Sequence, residues 1–237
     1  MMRHDAPTVA ANGLYLFFPD GYSVTLNTAF VETRSREILM ERERATPEMR
    51  QATAFQLCSV CPKRGNADTC HAIQPILAAS ECIDLYPSYM PVTAVFRTSH
   101  NGRGAYTITA ETELQRALQY VSLLSLLYYC EVGREYWRYF HGIHPLMDVE
   151  DIVVRMYLNI FWSCGGSREQ TRALISRFHD QIAVTTQCQV DRLRLICQSD
   201  ALLNALVLTQ TASEFLVDRV ESLVAQHIHE FGQSYFQ

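Results

Sequence analysis

Cys58 and Cys61 form a C-x-x-C pair, and Cys70 follows a loop that contains Pro62, Gly65, Asn66 and Asp68. Such a turn presents two thiolates to one point, and a third thiol nearby moves the set toward the four sulfur or imidazole ligands of a closed zinc site. Cys70 is expected in the first turn of a helix, where free N–H groups and the helix dipole favour a thiolate. The fourth ligand must come from elsewhere. Cys82 would lie roughly 18 Å further along that helix at its ordinary rise, too far to share an ion. His71 adjoins Cys70, and chain neighbours converge poorly on one ion. Cys130, at the end of an apolar helix, is the preferred fourth ligand.

Zinc is the preferred metal, and the same thiolates can hold an iron–sulfur cluster. A redox dithiol is a further alternative. It is weakened because redox C-x-x-C pairs open a helix after a strand, whereas this pair precedes the helix. His141 and His144, beside Arg138, are weaker candidates for ligation or acid–base work, together with His71. Gly142 and Pro145 argue against a continuous helix that would bring the two histidines onto one face. His227 and His229 point to different sides of a helix. The chain contains no G-x-G-x-x-G, Walker A, H-E-x-x-H or G-x-S-x-G, so no catalytic residue is assigned.

The elements that must position these thiols can be read from the pattern. Leu14–Phe18 and Tyr22–Leu26 flank Pro19-Asp20-Gly21 and predict a hairpin. The stretch from Thr28 to Arg50 reads as partly helical up to Pro47, with Arg34, Arg36, Arg42 and Arg44 interleaved with glutamates on a solvated face. Thr53–Leu57 reads as a short strand. Asp68 or Thr69 is expected to cap a helix through Ile76 to Cys82, which Pro75 would kink. Val92–Thr98 and Ala105–Ala110 predict a second hairpin around His100–Gly104. A central buried helix is expected from Glu111 to about Gly133. Further helices are expected after Asp148, Ser167, and Ser199 or Asp200.

Strands first and helices afterwards predict an α+β fold, with antiparallel hairpins packed on the central helix and an all-helical C-terminal half. The expected organisation is a loose tail over 1–12, an α+β metal-binding region over 13–165, and a helical region over 166–237 packed on it as one domain. The apolar stripes at 174–182 and 202–227 are expected to pack together, or else to form a surface for a protein partner or a second copy of the chain.

Composition narrows the classes. With 48% hydrophobic and 19% charged residues, the 237-residue chain is globular rather than disordered. A net charge of −5 gives no basic footprint for nucleic acid. No signal peptide or membrane-length apolar run is apparent, so a cytoplasmic location is expected. In that compartment the eight cysteines are not a disulfide framework. Cys82, Cys164, Cys188 and Cys197 read as inert packing thiols, so Cys61→Ser should lower metal content and Cys188→Ser should change little.

Phe18-Pro19-Asp20-Gly21, Cys58-x-x-Cys61-Pro62, Cys70, the leucine-rich stretch Ser122–Leu127, Cys130 and Arg138-x-Phe140-His141 follow one another in order. In this the chain resembles, over roughly residues 14–160, an uncharacterised family of small bacterial proteins with the pattern F-P-D-G, C-x-x-C-P, C-P, S-G-C-P and R-F-H-L-P-F. The chain departs from that pattern at His71 after Cys70, at Tyr-Tyr-Cys130-Glu, and at Gly142 after His141. The resemblance implies that Cys58, Cys61, Cys70 and Cys130 belong together, and it implies no activity. The expected function is a structural zinc site in a binding or regulatory module. The alternatives are an iron–sulfur or thiol redox protein, including an enzyme of that class using His141 or His144, and a small-molecule sensor built on Tyr136–Phe140.

Overall fold

Leu14 and Leu16 alternate with Tyr15 and Phe17, and this period places the two leucines on one buried face of a strand. The computed structural model describes residues 11–40, 46–54, 57–65, 69–99, 104–197, 200–226 and 229. In it, β1 (Gly13–Phe17) and β2 (Ser23–Leu26) form the first hairpin, pairing Leu14 with Leu26 and Leu16 with Val24. The Phe18 N–H donates to the Tyr22 carbonyl at 2.9 Å, and Gly21 turns the chain at φ +87°, a conformation glycine adopts without steric cost.

β3 (Pro91–Ser99) and β4 (Ala105–Glu113) form the second hairpin. The turn residues 100–103 lie outside the described residues. The two hairpins are not separate. β1 pairs antiparallel with β3, Leu14 opposite Phe96, giving one four-stranded sheet of order β2-β1-β3-β4. The fold is α+β, as the strand-then-helix order predicts.

The helices differ locally from expectation. α1 (Thr28–Met40) is followed by α2 (Pro47–Ala54), so Pro47 opens a helix rather than merely interrupting one. Thr46 Oγ1 accepts the Met49 N–H at 3.2 Å and Glu48 sits in the first turn, both favourable at an N-terminus. Thr53 and Ala54 therefore end α2 and do not start a strand. Arg42 and Arg44 lie outside the described residues. α3 (Gln74–Ile83) follows a 3₁₀ turn over His71–Ile73. Pro75 falls in its first turn, where no amide hydrogen is needed, and so introduces no kink. Thr69 does not cap this helix, and Asp68 lies outside the described residues.

The expected central helix is not continuous. β4 runs to Glu113, then α4 (Leu114–Ala117), α5 (Gln119–Leu123) and a π-helical stretch over Leu124–Tyr129 follow. Its leucines are buried as expected, but the wider π turn changes the direction in which the segment ends. α6 (Val149–Ser163), α7 (Arg168–Leu193) and α8 (Ala201–Asp218) complete the helical half, with helical turns over 220–226.

Ser167 caps α7 through the Gln170 N–H. Asp148 stands at the start of α6 and pairs its carboxylate with Arg116. Asp200 accepts the Ser88 N–H and hydroxyl at 3.2 and 3.0 Å, tying α8 to the loop before β3. Ser199 lies outside the described residues. One apolar cluster runs from Leu14 and Leu16 on the sheet to Ile175 and Phe178 on α7 and Leu206 and Leu216 on α8. The stripes of α7 and α8 pack on each other. Among the described residues, no helix is long and apolar enough to cross a membrane.

Candidate metal centre

The C-x-x-C segment folds on itself before any tertiary contact is considered. The Cys61 N–H donates to the Cys58 carbonyl at 3.0 Å and the Arg64 N–H to the Cys61 carbonyl at 3.1 Å, two successive turns that hold both thiols on one side. Cys70 has an extended backbone ahead of the 3₁₀ turn, outside the first helical turn in which it was expected. Its N–H bonds the Thr53 carbonyl at 3.3 Å, fixing it against the end of α2.

Ser125, buried in the π stretch, donates to the Ala72 carbonyl at 2.6 Å and joins that stretch to the same 3₁₀ turn. Cys130 follows the π stretch with an extended backbone. It packs in a small cluster with Ala72 and Val132, against Val60 and Cys70.

These segments wall a cavity of about 20 Å³ lined by Cys58, Cys61, Cys70, His71 and Cys130. The cysteine quartet expected from the sequence is therefore brought together. The same cavity is lined by Cys188 and Gln189 of α7, a contribution that sequence reasoning missed because Cys188 resembles any half-buried helical thiol. The available signal is the spacing to Arg192, which puts a guanidinium on the same helix face one turn later.

Cys58 and Cys188 share a hydrogen bond that holds the Cys58 thiol protonated and draws Cys188 toward the thiolate, with Arg192 adding to the pull on Cys188. Burial pushes the Cys130 thiol up to about 11, opposed by the backbone N–H groups of Gly133 and Val132 that bond its sulfur. Gln189 Nε2 donates to the Cys70 sulfur at 3.5 Å. Arg192, fully buried, donates to the Ala52 carbonyl at 2.7 Å. At the rim, Lys63 pairs with Glu131 at 2.6 Å and lowers its carboxyl pKa.

Among the described residues, no three His, Cys, Asp or Glu side chains already converge as ligands of one ion. The thiols line the cavity without being drawn to a single point. The weaker candidates separate. His71 lies on this cavity with Nδ1 3.2 Å from Gln74 Nε2, whereas His141 and His144 lie outside its lining. His227 lies outside the described residues. Cys82 bonds the Ala78 carbonyl of its own helix and Cys197 the Asp84 carboxylate, so neither contributes to the cavity. Tyr136, Tyr139 and Phe140 are buried core residues, with Tyr136 edge-on to Phe178 at 4.9 Å.

His144 has a different role. Its ring stacks near Phe96, 6.4 Å between centroids, and burial with the nearby Arg155 lowers its pKa from the ordinary 6.5, opposed by Asp151. The unfolded chain thus protonates first as pH falls, so stability should drop below about pH 6.5 until the folded-state imidazole also protonates. His144→Gln is expected to flatten the urea midpoint between pH 6.5 and 5, and an unchanged pH slope would exclude this contribution.

No family model matches the chain, and no curated protein or solved structure matches it either.

Proposed function

We propose that the chain is a cytoplasmic metal-binding protein in which a thiolate-held zinc ion fastens the 57–72 segment to the turn after the π stretch. One observation carries the reading: Cys58, Cys61 and Cys70, close in sequence, and the sequence-distant Cys130 line one small cavity. Thiols left close together in an apolar pocket gain little from one another. They gain much from a soft divalent cation, and tetrahedral zinc would draw the sulfurs to about 3.8 Å from each other.

Zinc is favoured over an iron–sulfur cluster by size. A cavity of about 20 Å³ matches one ion or one water, not a group of several irons and sulfides. The role is structural, within a binding or regulatory module. Val207 and Val217, exposed on α8, offer apolar contacts to a protein partner or a second copy. A thiol redox role is the second reading, favoured by the Cys58–Cys188 hydrogen bond.

Elemental analysis and a visible spectrum on anaerobically purified protein test the proposal. The expected result is about one zinc per chain and no visible absorption. Iron with sulfide absorption would replace zinc by a cluster. Metal-free protein with a reversible dithiol potential would select the redox reading.

A further inference from the structure

We propose that a groove beside the first turns of α7 is a separate binding site, for a small monoanion with an apolar body, an alkyl or aryl carboxylate. The inference is independent of the metal centre, which α7 meets near its other end through Cys188 and Gln189.

The groove has a volume of about 590 Å³, inside the roughly 300–1,000 Å³ range of small-molecule sites. It lies between the start of α7, the end of α8 and the helical turns that follow α8. Ile175, Leu216 and Val220, all buried, give it an apolar floor. Tyr157 of α6 adds an aromatic wall, stacked on Phe161 with 6.0 Å between ring centroids and 15° between planes. An alkyl chain or ring laid there exchanges water for apolar neighbours.

The charged residues decide what such a ligand must carry. Arg168, Arg172 and Arg219 share the groove with two carboxylates, Asp218 and Glu221, which leaves one positive charge in excess. A monoanion balances that charge, and a cation would add to it. Arg172 is engaged, donating to Glu221 at 2.6 Å in an exposed ion pair. A pair of this kind contributes little to stability, so Glu221 competes weakly with an incoming carboxylate. Among the described residues Arg168 and Arg219 form no salt bridge. Arg219 lies instead over the Phe215 ring, 5.4 Å from its centroid, which holds the guanidinium by its face and leaves its N–H edge to a ligand. Two parallel N–H groups match a carboxylate, in a geometry an ammonium does not offer.

Anilinonaphthalene sulfonate, a fluorescent monoanion with an aromatic body, is the probe on the full chain. The expected result is saturable binding at one site per chain, displaced by octanoate and not by octanol. Arg168→Gln and Arg219→Gln should each raise the octanoate Kd about tenfold, the scale of one charged hydrogen bond. Arg194→Gln, outside the groove, should leave it unchanged. Glu221→Gln should lower it severalfold by freeing Arg172, a gain that non-specific adsorption would not give. All of these side chains are exposed, so the variants should keep the wild-type urea midpoint. Octanol competing as well as octanoate, or an unchanged Kd in both Arg168→Gln and Arg219→Gln, would overturn the site. Sedimentation with phosphatidylglycerol vesicles separates a free acid from a lipid headgroup. The chain is expected to stay in solution, and co-sedimentation abolished by Arg219→Gln would overturn the free-acid assignment.

Discussion

Gly133→Ala is expected to prevent the chain from reaching its native structure. A Cβ built on Gly133 would stand 1.5 Å from the Leu126 carbonyl oxygen and 2.7 Å from the Leu126 carbonyl carbon. Both atoms are backbone, so no side-chain rotation relieves the overlap. The reason for glycine here is close approach, where the turn after Cys130 presses against the π stretch. Relief would require that stretch to move, and with it Ser125, whose hydroxyl holds the Ala72 carbonyl. The expected loss exceeds about 4 kcal/mol, at the far end of single-substitution effects. Circular dichroism and urea titration of the variant check it. A variant within about 1 kcal/mol of wild type would mean that the contact is readily relaxed.

Cys61→Ser is expected to have the next largest effect, through linkage rather than packing. A serine hydroxyl at neutral pH is a poor zinc ligand, and losing one of four thiolates should weaken zinc binding by more than about a hundredfold, beyond the range of outer-shell changes. At free zinc that just supplies the wild type with a hundredfold excess over its Kd, a hundredfold loss removes about 2.3 kcal/mol of stability, approaching about 2.7 kcal/mol as binding is abolished. The comparison has an internal control. Wild type treated with chelator should fall to the stability of the variant, and the variant should be insensitive to chelator. Equal zinc content in the two proteins would remove Cys61 from the site.

The parts of this architecture written in local chemistry were legible in the sequence. The Pro19-Asp20-Gly21 turn, the alternation around Leu14 and Leu16, and the Ser167 cap each depend on a few adjacent residues. Pairing between the hairpins was not legible, because the partnership of β1 with β3 is made by strands separated by β2 and three α-helices. The π stretch was not legible either. Leu124–Tyr129 has the apolar character of an ordinary buried helix, and only tertiary contacts such as Ser125 to Ala72 accompany its wider turn. At the cavity, Cys58 and Cys61 announce themselves by spacing. Cys188 carries no such mark, since its place depends on how the 26-residue α7 lies across the 3₁₀ turn and α2.

The hydrogen bond from Arg192 to Ala52 spans 140 residues of sequence. Seen from the ribosome, that span is a delay. At ordinary synthesis rates, roughly 7 to 28 s separate the appearance of the Ala52 carbonyl from that of its guanidinium donor. In the last part of this interval, once Cys130 has been made, the sheet and the thiols at 58, 61, 70 and 130 exist without the helix that walls them in. The pocket therefore keeps an open side until α7 has been made.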